Sequence, residues 1–96
     1  MGDGEIYYVI GFQNEPADML SYFNQGADSG FEKCLKNYLD KISKQSQTGI
    51  AEKYLPQWSA VYKYALCSDE KGNNLYAMYC PQTLNLYAVL SVNTWL

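Results

Sequence analysis

The chain contains no histidine and no arginine, so its seven basic residues are all lysines. Histidine is the commonest general base and a leading zinc ligand, and arginine supplies the planar fork that grips carboxylates and phosphates. Their absence disfavours most acid–base, zinc and phosphate-binding chemistry. We therefore expect no catalytic residues, no cofactor and no metal, although tyrosine, lysine, cysteine and the carboxylates remain available as catalysts.

Excess positive charge and long apolar segments are missing as well. The net charge of −3 argues against a nucleic-acid partner, because nucleic-acid binding normally needs a basic patch. No apolar run approaches the roughly 20 residues that a membrane-spanning helix requires, so no membrane association is expected. The first residues also lack the basic and apolar segments of a signal peptide.

Cysteine is scarce, and its three positions, Cys34, Cys67 and Cys80, have no metal-ligand spacing. An odd number of cysteines without a signal peptide is typical of reduced thiols, so we expect three free cysteines and a cytoplasmic protein. The length of 96 residues predicts a single domain over 1–96, with 1–4 as a candidate disordered end.

The first half of the chain combines one strand with two helices. Residues 5–12 are mostly β-branched and aromatic, which predicts a strand, and a short helix is expected over 14–24. A second helix is predicted over about 30–46, because Ser29 and Glu32 have the spacing of a capping box. It carries an apolar stripe at intervals of three and four, formed by Phe31, Cys34, Leu35, Tyr38, Leu39 and Ile42.

The second half changes to a period of two, which predicts strands. After an expected helical turn near Pro56, residues 58–68 alternate as a strand. Residues 69–73 then suit a type I turn with Gly72 in the left-handed conformation. This turn sets Tyr64 opposite Met78 in the next strand.

A second turn at 81–83 would place Met78 opposite Leu86 in the last strand. The large even-numbered side chains of all three strands then share one sheet face. We expect that face to pack against the helix stripe through Leu66, Met78, Leu86, Ala88 and Leu90. The sequence thus predicts an α+β fold: an antiparallel sheet of three or four strands in the order β-α-α-β-β-β, with two helices packed on one face.

Tyrosine is the abundant residue, with ten in the chain. Its wide, rigid ring and polar tip make it frequent in binding surfaces. The predicted register turns Tyr79 and Tyr87 away from the helices, onto a face that is too apolar for a solvent-washed sheet. We predict a partner-binding surface there, formed by Tyr79, Tyr87, Lys63, Leu75, Val89 and Asn85. An internal cover by residues 50–57 or by the first strand, or a homodimer, is the alternative use of this face.

Small size, mild acidity and the missing chemistry favour a protein-binding module over an enzyme. We expect an inhibitor or immunity-type protein that blocks a larger protein partner, as bacterial immunity proteins and phage-encoded inhibitors do. One alternative is a carbohydrate or small-ligand module in which Trp58 and the tyrosines stack on sugar rings. A second alternative is a small enzyme that uses tyrosine, lysine or cysteine.

Overall fold

A single five-stranded antiparallel sheet, in the order β1-β5-β4-β3-β2, organises the fold. The structure is a computed structural model and describes residues 3–25, 27–59 and 61–93. Its elements are β1 (Asp3–Gly11), α1 (Ala17–Leu20), β2 (Asn24–Gln25), α2 (Ser29–Gln45), a 3₁₀ helix (Glu52–Tyr54), β3 (Lys63–Ser68), β4 (Asn74–Cys80) and β5 (Asn85–Asn93). The α+β class is confirmed, but the sheet has five strands where three or four were predicted. None of the described helices has the length and apolar character that crossing a membrane requires.

The long helix α2 agrees with the prediction to within one residue at each end. Its N-cap is Asp28 and not Ser29, because the Asp28 carboxylate accepts a hydrogen bond from the Phe31 N–H at 2.8 Å. The apolar stripe packs on the sheet through buried Phe31, Leu35 and Leu39. Cys34, which the stripe prediction included, is exposed instead.

The β3–β4 hairpin has the predicted register, with Tyr64 opposite Met78. Its turn is closed by a hydrogen bond from the Gly72 N–H to the Asp69 carbonyl at 3.3 Å. Gly72 has a φ of +87°, the left-handed conformation that glycine adopts without steric cost. The strand itself begins only at Lys63, so residues 58, 59, 61 and 62 are not part of it, and residue 60 lies outside the described residues.

The turn between β4 and β5 contains one residue more than predicted. It covers residues 81–84, and Leu84 has a φ of +58°. The Leu84 N–H donates to the Cys80 carbonyl at 2.9 Å, and the Leu84 carbonyl accepts from the Phe12 N–H at 2.9 Å. The left-handed conformation costs a non-glycine residue about 1–2 kcal/mol, which the packing of Leu84 in an apolar cluster helps to offset.

This extra turn residue shifts the register of β5 by one. Met78 pairs with Tyr87, not with Leu86. Since side chains alternate along a strand, each side chain of β5 lies on the face opposite to the predicted one. The predicted sheet face is therefore correct for Met78 and wrong for Leu86, Ala88 and Leu90, while Leu66 is exposed.

The two sheet faces carry separate apolar clusters, because one helix packs on each face. We call the face against α2 the helix face and the other the opposite face. Helix α1 packs on the opposite face through Leu20, so the prediction of both helices on one face is wrong. Buried members of the helix-face cluster are Phe31, Leu35, Leu39, Tyr62, Met78, Cys80, Tyr87 and Val89. Those of the opposite-face cluster are Leu20, Ala65, Ala77, Tyr79, Leu86 and Ala88.

The first strand lies at one edge of the sheet, beside β5. It starts at Asp3, so it includes two of the four residues expected as a disordered end, and residues 1 and 2 lie outside the described residues. Helix α1 has only four residues, fewer than the 14–24 helix predicted, and the two-residue strand β2 follows it.

Candidate functional site

The six residues of the predicted binding surface do not share a face. Lys63, Leu75 and Tyr79 lie on the opposite face, whereas Asn85, Tyr87 and Val89 lie on the helix face. The one-residue shift in the β4–β5 turn causes this separation, because it moves the β5 members to the other side of the sheet. The six predicted residues thus do not form one contiguous patch.

Tyr79 is a core residue and not a contact residue. Its side chain is 0% exposed and meets Phe12 edge-to-face, with ring centres 6.3 Å apart. Its cover consists of residues 12–23, mainly Phe12, Met19 and Leu20, and not of residues 50–57 or the first strand. The Tyr79 hydroxyl has no hydrogen-bond partner among the described residues, and burial raises its pKa.

The other predicted residues are also largely enclosed. Tyr87 and Val89 are buried under α2, and Leu75 packs against the opposite-face cluster. Lys63 of β3 is half-buried opposite Tyr79 of β4, and Asn85 is half-buried at the start of β5. Because Tyr79 and Tyr87 are both buried, no exposed surface is centred on them.

The exposed apolar surface of the sheet lies on β1 instead. Ile6, Tyr8 and Ile10 alternate on the opposite face and are 46%, 43% and 43% exposed. They stand beside Leu90, Ala88 and Leu86 of β5, in that order. We call these three exposed residues the β1 patch. Residues 12–23 pack on the cluster that β3, β4 and the Leu86 and Ala88 positions of β5 form on this face, so the face is covered up to β5 and open along β1.

A sequence signal for the β1 patch does exist. The run Glu-Ile-Tyr-Tyr-Val-Ile is apolar at nearly every position, so both faces of the strand are apolar while an edge strand needs only one. The sequence alone does not reveal that β1 is an edge strand, because its pairing with β5 joins residues 74 to 90 positions apart. A sequence pattern alone therefore does not predict which face of β1 is exposed.

A cavity of about 620 Å³ lies between α2, residues 50–58 and the turn end of the β4–β5 hairpin. Its lining includes Asn85 and Tyr87, and the Asn85 amide nitrogen is 3.5 Å from the Tyr87 hydroxyl. The Lys36 ammonium stands 4.9 Å from the centre of the Trp58 ring at the same cavity. Two lysines and two carboxylates border it, Lys36, Lys53, Asp40 and Glu52.

A hydrogen-bonded cluster joins the start of α2 to β3. The Tyr64 hydroxyl donates to the Asp28 carboxylate at 3.0 Å, and the Tyr62 hydroxyl donates to Glu32 at 2.5 Å. The bond from the Phe31 N–H, followed by that from Tyr64, lowers the pKa of Asp28. Burial, then the bond to Glu32, raises the pKa of Tyr62 to about 12.

These pKa shifts keep the carboxylate of Asp28 ionised and the phenols protonated at neutral pH. Tyr76 and Cys80 are protonated for the same reason. Burial, then the hydrogen bond with the Tyr38 hydroxyl, raises the pKa of Tyr76 to about 12, and burial raises the pKa of the Cys80 thiol. A protonated phenol or thiol is neither a base nor an activated nucleophile. The hydrogen bonds of this cluster join the start of α2 to β3 and the residue before it.

Within the described ranges, no three histidine, cysteine, aspartate or glutamate side chains come together as a potential metal site. Comparison with protein-family models, curated proteins and solved structures gives no significant match.

Proposed function

We propose that this chain is a protein-binding module that docks on a partner protein through the β1 patch. The observation that carries the proposal is the row of Ile6, Tyr8 and Ile10, each more than two-fifths exposed on one side of a regular strand. Contiguous apolar side chains on the surface of a small protein usually mark an interaction site. Tyr8 adds a broad rigid ring with a polar tip, which is the side-chain type most used in such sites.

The patch is held rigidly, which favours tight binding. All nine residues of β1 pair with β5 in one unbroken register. Behind it, the Tyr7 hydroxyl donates to the Tyr54 carbonyl, and Lys41 forms an ion pair with Glu5 at 3.1 Å. A surface that is ordered before binding loses little conformational entropy when the partner docks.

We propose further that docking blocks the partner, as an inhibitor or immunity-type protein does. A flat apolar strip can cover a partner's surface without any reactive group of its own. The acidic net charge of −3 favours a partner whose docking surface has a basic rim, because complementary charge speeds association.

A variant pair tests this proposal. Tyr8→Arg places a charge at the centre of the β1 patch, and Tyr22→Arg makes the same change on α1's flank, at a tyrosine that is 84% exposed. Loss of a central aromatic contact costs about 2 kcal/mol or more, which is roughly 30-fold in affinity. Tyr8→Arg should therefore lose the partner in quantitative pull-downs from host extract, while Tyr22→Arg and the parent retain it.

The readout is the ratio of each captured protein between the two variants, at equal melting temperature. If every protein captured by the parent is captured equally by both variants, the β1 patch is not the docking surface. A captured protein that depends on Tyr8 but keeps its full activity when bound would contradict the blocking role alone.

The cavity beside Trp58 favours a second candidate function, the binding of a small neutral ligand such as a sugar. A volume of about 620 Å³ lies in the range of small-molecule sites, and apolar and hydrogen-bonding groups both line it. Its two lysines and two carboxylates cancel, so an uncharged ligand suits it better than an anion. The Trp58 ring and the Asn85 amide are the groups expected to stack on and orient a sugar ring.

NMR titration with lactose and maltose tests this second candidate. Resonances of Asn85 and of the Trp58 indole should shift at millimolar sugar, and Asn85→Ala should remove the shifts. Asn74→Ala, at the other end of β4, is the matched control and should leave them unchanged. Absence of any shift with either sugar would refute the candidate.

A further inference from the structure

The outer edge of β1 is open over a long distance. In the described part of the chain, β1 pairs with β5 on one side and with no strand on the other. The register runs without a bulge from Asp3 opposite Asn93 to Gly11 opposite Asn85, so the edge is nine residues long and regular. Such an edge presents free backbone donors and acceptors to another strand.

Over residues 4–11, β1 lacks the usual protections of an edge strand. It contains no proline and no lysine. The Glu5 side chain, which could guard the edge by charge, is 2% exposed and lies 3.1 Å from the Lys41 ammonium. Natural proteins keep exposed edges apart with bulges, prolines or charges, and this edge has none of these devices among its described side chains.

The free backbone groups belong to odd-numbered residues. The Phe12 N–H donates to the Leu84 carbonyl, so even-numbered residues direct their N–H and C=O groups towards β5. Because these directions alternate along an antiparallel strand, Tyr7 and Val9 direct theirs towards the open edge. Tyr8, between them, would occupy a non-hydrogen-bonded position in any antiparallel pairing across that edge.

We propose that the open edge binds a second copy of this chain, antiparallel and centred on Tyr8. The run Ile6 to Ile10 reads Ile-Tyr-Tyr-Val-Ile, which is nearly the same in both directions. This register sets Ile6 against Ile10, Tyr7 against Val9 and Tyr8 against Tyr8 of the second copy. Apolar cross-strand pairs of this kind stabilise a sheet, and the two copies would form one ten-stranded sheet.

Charge also favours this occupant and orientation. In the antiparallel register Glu5 faces Gly11 of the second copy, so the acidic ends of the two strands stand apart. A parallel pairing would place Glu5 beside Glu5, which is unfavourable because like charges directly opposite destabilise a sheet. The pairing uses the backbone edge and does not depend on the proposed partner-binding function.

Disulfide trapping tests the register directly. In a Cys34→Ser, Cys67→Ser background, which removes both exposed thiols, Tyr8→Cys should form a disulfide-linked dimer under mild oxidation. Side chains directly opposite at a non-hydrogen-bonded position are about 4.5–5.5 Å apart at Cβ, close to disulfide geometry. Tyr22→Cys, at a tyrosine outside the sheet that is more exposed than Tyr8 (84% against 43%), is the control and should still crosslink at least tenfold more slowly.

A second pair keeps Tyr8 intact. Ile6→Cys and Ile10→Cys should each crosslink poorly alone, but a mixture of the two should give a heterodimer, because these positions face each other only in this register. Sedimentation velocity of the parent should show a concentration-dependent dimer. Equal crosslinking rates at Tyr8 and Tyr22, no gain on mixing, or a monomer at all concentrations would each overturn the proposal. Since the assay uses purified protein alone, its failure leaves partner binding untouched.

Discussion

Removal of the Tyr79 hydroxyl should leave the protein as stable as the parent or stabilise it. This oxygen is fully buried beneath residues 12–23 and has no hydrogen-bond partner among the described residues. In the unfolded chain the same hydroxyl is hydrated, so folding loses that hydration without replacement. An unsatisfied buried polar group costs about 1–3 kcal/mol, and Tyr79→Phe removes this cost at the loss of one atom's packing.

The expected gain is about 1 kcal/mol, which corresponds to a rise of about 4–8 °C in melting temperature for a domain of this size. Tyr62→Phe is the matched control, because it removes the same atom from a buried tyrosine that has partners. The Tyr62 hydroxyl donates to Glu32 and accepts from the Asp28 N–H at 3.2 Å. Its loss should cost about 2 kcal/mol, since one partner is charged.

Thermal unfolding followed by circular dichroism compares the two variants with the parent. Tyr79→Ala belongs in the same series and should lose about 3–5 kcal/mol, because it leaves a cavity beside Phe12. If Tyr79→Phe destabilises the protein by more than about 1 kcal/mol, its hydroxyl has a partner and the described packing of the opposite face is wrong.

Three further predictions concern the core, the start of α2 and the thiols. Leu86→Ala should cost about 2–5 kcal/mol in urea unfolding, because Leu86 is buried on the opposite face; an unchanged midpoint would contradict that burial. Hydrogen bonds lower the pKa of Asp28 from its ordinary 3.8, so its contribution to stability is present above that pH and is lost as the pH falls through the lower folded value. Asp28→Asn should therefore weaken the dependence of the unfolding midpoint on acid pH, and an unchanged pH profile would argue against the cap. Thiol titration should find Cys34 and Cys67 reactive in the native protein and Cys80 only after denaturation, whereas one reactive thiol after denaturation would indicate a disulfide.

The sequence predicts well the elements whose signals are local. The stripe of α2 repeats over about three turns, and the Asp69–Gly72 turn has a composition that permits few other conformations. Both determine structure within a few residues of themselves. The α2 bounds and the β3–β4 register are confirmed for this reason.

The features that the sequence does not reveal depend on distant contacts. Leu84 adopts a conformation that leucine rarely takes, because its carbonyl bonds to Phe12 and its side chain packs in the opposite-face cluster. That single residue sets the register of β5 and therefore the faces of Tyr87 and Val89. The cover over Tyr79 likewise comes from a segment some 60 positions away in the chain.

The β1 patch is the direct product of those distant contacts. Pairing with β5 makes β1 an edge strand, and the cover that residues 12–23 give the opposite face ends at β5. The predicted surface combined two tyrosines with Leu75, Val89, Lys63 and Asn85, and the β1 patch shares with it a tyrosine among aliphatic side chains. We propose Tyr8, in place of Tyr79 or Tyr87, as the centre of the docking surface.

Tyrosine nitration, mapped by mass spectrometry, tests the location of the binding surface most directly. In the free protein Tyr8 and Tyr22 should react, and Tyr79 should not, because it is buried and its pKa is raised. In the complex with a protein recovered from host extract, Tyr8 should become protected while Tyr22 stays reactive. Reaction at Tyr79 in the free protein, or a Tyr8 that remains fully reactive in the complex, would contradict the placement of the docking surface on β1.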